Sequence, residues 1–129
     1  MSDAYQRGLA LRRQVMGESF VERALAGATD FSRPVQDFIT EAAWGSVWSR
    51  PGLDLKCRSL ITLAFLAALG RHRELAGHVR GARHNGATVT EIREVLLQAA
   101  VYCGVPLAAE ALRCAEDVLA GEAAAGAQG

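Results

Sequence analysis

Two stretches of this chain put chemically capable side chains at helical spacing. The first holds Phe38, Glu41, Trp44 and Trp48. Steps of three, three and four residues set all four on one face of a helix and place a carboxyl group among aromatic rings. A carboxyl in an apolar pocket resists ionisation and can deliver a proton near neutral pH. The same spacing also describes a Glu at the edge of a core stripe, hydrated or paired with an Arg, beside two core tryptophans. The second stretch holds Leu75, His78, Val79 and Ala82, an i, i+3, i+4, i+7 pattern that sets His78 beside an apolar stripe. Glu74 lies one turn earlier, placed to orient the imidazole and favour its charged form. A core-edge His satisfied by Glu74 or by a backbone carbonyl is the other reading. His84 is expected on the far, solvated side, and His72 stands near the helix start.

Other chemistries find little support. No H-E-x-x-H, paired Cys or Asp-rich loop supplies the three or four convergent ligands a metal needs. No G-x-G-x-x-G or P-loop follows a strand, so no nucleotide cofactor is expected. Cys57, Cys103 and Cys114 include no C-x-x-C pair, and three is odd for a disulfide framework. Reduced thiols in a cytosol fit best. Formal charge balances at zero, with Lys and Arg scattered, which argues against nucleic acid as a partner. The N-terminus lacks a signal pattern, and the apolar run Leu60 to Leu69 falls far short of the roughly 20 residues a membrane span needs. A soluble, cytoplasmic protein is the expectation.

The elements that must position these residues are helices. Half of the 129 residues are hydrophobic, Ala and Leu dominate, only three prolines occur, and no strand alternation persists. The fold class expected is all-α, one domain of about six to seven helices over residues 1–120, with residues 121–129 a frayed, flexible small-residue tail. Helices are expected at about Asp3 to Val15, Gly17 to Ala26, from near Pro34 to Trp48, Leu55 to Leu69, His72 to Asn85, from the capping box Thr88-Val89-Thr90-Glu91 to Cys103, and Pro106 to Leu119. Gly70 and Gly86 stand as helix stops. The Leu55 to Leu69 helix is apolar almost all round, so it belongs inside a core or at a subunit interface.

Several blocks, in order, resemble one family. Ala43-Trp44-Gly45-Ser46-Val47-Trp48-Ser49-Arg50-Pro51-Gly52-Leu53-Asp54 looks like the A-W-G-x-x-W-S-R-P-G-L-D signature of carboxymuconolactone decarboxylases. Arg58-Ser59-Leu60-Ile61-Thr62-Leu63-Ala64, Ala67-Ala68-Leu69-Gly70-Arg71, and Glu74-Leu75-x-x-His78-Val79-Arg80-Gly81-Ala82 continue the likeness. So do Asn85-Gly86-Ala87-Thr88 and the block from Glu91 to Pro106, so that residues 5 to 119 are covered. The wider superfamily includes alkylhydroperoxidase-like proteins with C-x-x-C followed by x-x-x-His. Here Arg71 and Glu74 stand in place of the cysteines, which argues against peroxide reduction through a disulfide.

The resemblance implies cofactor-free conversion of 4-carboxymuconolactone to 3-oxoadipate enol-lactone and CO2, in protocatechuate breakdown. It also implies a helical homo-oligomer, often a hexamer. Its substrate carries two carboxylates, for which Arg50, Arg58 and Arg71 are the candidate partners. Trp44 and Trp48 would wall a dry pocket. His78 would be proton donor or oxyanion partner, with Glu41 tuning or sharing that proton. Rival readings are a relative acting on another lactone or keto acid, and a non-enzymatic helical oligomer that binds small aromatic acids.

Overall fold

A computed structural model of the chain describes residues 2–128. Among the described residues every regular element is helical: α1 Asp3–Met16, α2 Glu18–Ala26, α3 Arg33–Phe38, a π-helix Ile39–Trp48, α4 Leu55–Leu69, α5 His72–His84, α6 Val89–Cys103 and α7 Val105–Gln128. The chain forms two compact units, one up to Leu55 and one from Lys56 onward.

In the first unit, α1 packs against the π-helix with backbone on backbone. A methyl group added to Gly8 would collide with the Thr40 carbonyl oxygen and lie 2.6 Å from Gly45 N, and one added to Gly45 would collide with the Ala4 carbonyl. Two glycines facing each other are what lets the helices come so close. The core beside this contact is Val15, Met16, Val21 and Trp44. The helix expected from Pro34 to Trp48 is thus α3 followed by a π-helix. Arg7 Nε donates to the Gly45 carbonyl at 3.1 Å and Ser49 Oγ donates to the same oxygen at 2.6 Å, so side chains share an acceptor that a regular ladder would use alone. Arg12 is buried here, and its Nη1 donates to Thr40 Oγ1 at 3.2 Å.

In the second unit, α4 contributes Leu63 and Ala67, α5 contributes Leu75, Val79 and Ala82, α6 contributes Ile92, Leu96 and Ala99, and α7 contributes Ala111 and Ala115 to one core. Gly70 and Gly86 have φ of 69° and 89° and end α4 and α5 in the left-handed region, as their positions predict. The capping box is formed: Glu91 N donates to Thr88 Oγ1 at 3.0 Å and Thr88 N to Glu91 Oε1 at 2.9 Å. Inside the core, Asn85 Nδ2 donates to Ser59 Oγ at 2.9 Å, tying the end of α5 to α4. The last helix does not stop at Leu119 but runs to Gln128, because Ala-rich sequence keeps helical preference even with glycines in it. Gly129 lies outside the described residues. No helix among the described residues is long and apolar enough to cross a membrane.

Candidate functional site

In the first unit the site residues divide. Trp44 is buried, and Trp48 stacks on it with centroids 4.4 Å apart and planes at 28°. Trp44 is therefore the backing of Trp48 rather than a wall of its own. Phe38 and Glu41 are exposed, so the carboxyl expected among aromatic rings does not lie among them. The π register is the physical reason: i→i+5 bonding changes the angle between successive side chains, so Trp44 and Trp48 stay together while the three-residue steps from Phe38 and Glu41 no longer reach their face.

Trp48 and Arg50 do come together, in a cavity of about 650 Å³. The opposite wall is α1, which presents Arg7, Leu11 and Gln14 at i, i+4, i+7. Leu53 and Leu55 add apolar surface, and Asp54 is a carboxylate at the same cavity. Arg7 is the residue that reading the sequence misses, although its spacing from Leu11 and Gln14 was a signal.

In the second unit His78 is half-buried on α5, flanked by the core residues Leu75, Val79 and Ala82. Burial pushes its pKa down to about 4, against the opposing pull of Glu74. Glu74 is committed elsewhere: its Oε1 accepts from Arg71 Nη2 at 2.9 Å, and that bond holds its carboxyl below the usual range. Glu74 does favour a charged His78, as its spacing predicts, but loss of solvation outweighs this one exposed, already paired carboxylate. At neutral pH His78 is a neutral imidazole.

Arg58 is half-buried on α4, and Arg71 is exposed. His72 pairs with Glu110 through Nε2 at 2.9 Å, while His84 is exposed, as its helical position predicts. No disulfide joins Cys57, Cys103 and Cys114. Among the described residues no three His, Cys, Asp or Glu converge as a metal site.

The helical scaffold thus carries a half-buried His78 in its second unit and, in its first, a cavity lined by Arg7, Arg50 and Trp48. The chain belongs to the carboxymuconolactone decarboxylase family, whose model matches residues 33–117. It is 46% identical to 4-carboxymuconolactone decarboxylase of Acinetobacter baylyi, over 88% of this chain and 85% of that one. It is 52% identical to nitrosuccinic acid decarboxylase of Metarhizium robertsii, over 84% of this chain and 76% of that one.

Proposed function

We propose that this protein is a carboxy-lyase that converts 4-carboxymuconolactone to 3-oxoadipate enol-lactone and CO2 without a cofactor. The observation that carries the reading is the 46% identity to a 4-carboxymuconolactone decarboxylase across nearly the whole of both chains.

The chemistry asks little of the protein. When the ring C–CO2⁻ bond breaks, its electron pair moves through the adjacent C=C to the lactone carbonyl, leaving a dienolate. A proton then adds at the carbon α to that carbonyl. A neutral imidazole suits the first step: its N–H donates a hydrogen bond to the oxygen on which charge grows. His78 takes that role. Because it is neutral in the free protein, the proton comes from water rather than from a resident imidazolium. A bound dianion would raise the proton affinity of His78 and bring it closer to sharing that task. Arg50, Arg58 and Arg71 are the partners for substrate carboxylates, and Trp48, backed by Trp44, is a flat wall for the ring. The protein works in the cytoplasm as a homo-oligomer, a hexamer by family resemblance.

A second reading has its own support in the 52% identity to a nitrosuccinic acid decarboxylase. Nitrosuccinate and the lactone share a skeleton: the carbon that loses CO2 carries a CH2CO2⁻ arm and is joined to an electron sink, a nitro group in one and an unsaturated lactone in the other. Purified protein, without added cofactor, should release CO2 from 4-carboxymuconolactone with formation of the enol-lactone. Turnover of nitrosuccinate alone would replace the first reading with the second. Release from neither substrate would end both.

A further inference from the structure

We infer that the cavity between α1 and the turn following the π-helix is an anion site for a small cyclic acid, and that Arg7 is a specificity-determining residue in it. The inference rests on the decarboxylase reading only in its choice of which substrate carboxylate is bound.

Arg7 is tethered before any ligand arrives. Its Nε donates to the Gly45 carbonyl at 3.1 Å, and among the described residues it has no carboxylate partner. A guanidinium has five N–H donors in a fixed plane, so four remain after that bond, and a carboxylate takes two in parallel. Tethering lowers the entropic cost of holding a long side chain in one place.

Charge in the cavity sets how many carboxylates it accepts. Arg7 and Arg50 bring two positive charges and Asp54 one negative, which leaves room for a single carboxylate. The shape sets the rest of the ligand. Trp48 offers a ring face made rigid by its stack on Trp44, and Leu11 and Leu53 are apolar. Some 650 Å³ is ample for a five-membered ring with a short acidic arm.

Of the two carboxylates on the lactone, the one that stays is the better occupant. Tight pairing of the departing carboxylate would stabilise the ground state and slow its loss, whereas binding the retained arm holds the ring without that penalty. Arg7 therefore acts on KM more than on kcat.

The test uses 2-furanacetic acid, a ring with an acetate arm and no carboxylate to lose. Trp44 and Trp48 are the only tryptophans in the chain, so intrinsic fluorescence reads the cavity directly. The acid should quench saturably in the full-length protein, while its methyl ester should not. Arg7→Gln and Arg7→Met should weaken binding about ten- to a hundredfold, as loss of a charge-assisted pair does. Arg7→Lys should recover part of it, and His84→Ala should change nothing. Equal binding of acid and ester, or unchanged affinity in both Arg7→Gln and Arg7→Met, overturns the site. Arg7-dependent binding in a protein that releases no CO2 from the lactone leaves the site standing while the decarboxylase reading fails. Turnover of the lactone by a protein whose affinity for the acid is indifferent to both Arg7 substitutions does the reverse.

Discussion

The histidine at position 78 shows how burial can reverse a reading based on neighbours. Glu74 sits one turn away and would favour a charged ring, yet desolvation lowers the pKa to about 4. The direction has a consequence for stability. The unfolded chain binds a proton at this His near pH 6.5 while the folded chain does not, so folding is disfavoured as pH falls through that range. Wild-type protein should lose up to roughly 3 kcal/mol relative to His78→Gln between pH 6.5 and 4, with the difference levelling below pH 4. Urea denaturation of both proteins across that range measures it, and parallel curves would show that His78 is not held neutral. At neutral pH, His78→Ala should cost roughly 10²–10³ in turnover of 4-carboxymuconolactone, the usual effect of removing one oxyanion donor. His84→Ala, exposed on the same helix, should retain normal rates. A folded His78→Ala protein with near-normal turnover would make this a structural histidine.

At the scale of elements, the contact of α1 with the π-helix is the feature on which the first unit depends. It positions Trp48, Arg7 and Arg50, and it exists because positions 8 and 45 lack a side chain. The atoms that an added methyl would strike are backbone atoms, which cannot swing away. Gly8→Ala and Gly45→Ala should each destabilise by about 1–3 kcal/mol or more. Gly121→Ala is the contrasting change. It lies within α7, nothing stands within 4 Å of an added methyl, and relief of glycine's conformational entropy should stabilise by about 0.5–1 kcal/mol. Chemical denaturation of the three variants checks both signs. Helix ends were legible in the sequence, since Gly70, Gly86 and the Thr88 to Glu91 box act through local geometry that residue type alone dictates. The π register was not. It accompanies a tertiary contact in which α1 supplies Arg7 to an acceptor on the other helix, and periodicity within one helix holds no trace of that. The exposed position of Glu41 was lost with it.

For the molecule as a whole, the sequence revealed an apolar α4 but not which of its faces meets the core. Ser59, Leu63 and Ala67 turn inward, while Ile61, Phe65 and Leu69 stay exposed, Phe65 at 62%. On α6, Leu97, Val101 and Tyr102 are exposed as well. Ile61 and Tyr102 line a common cavity of about 310 Å³, so the two apolar strips adjoin within the second unit. Contiguous apolar surface of this kind is rare on a protein that works alone, and it supports the proposed homo-oligomer. The zero net charge offers no long-range repulsion between copies. Light scattering should find an assembly at micromolar concentration. Phe65→Glu and Val101→Glu place a charge on these strips without touching the buried face of either helix, so each should shift the protein toward smaller species with its helical content intact. Both variants should also lose thermal stability, because subunit contact stabilises the fold by mass action. A wild-type protein that stays monomeric at high concentration with full activity, or glutamate variants that assemble as wild type does, would show that these strips are not where copies meet.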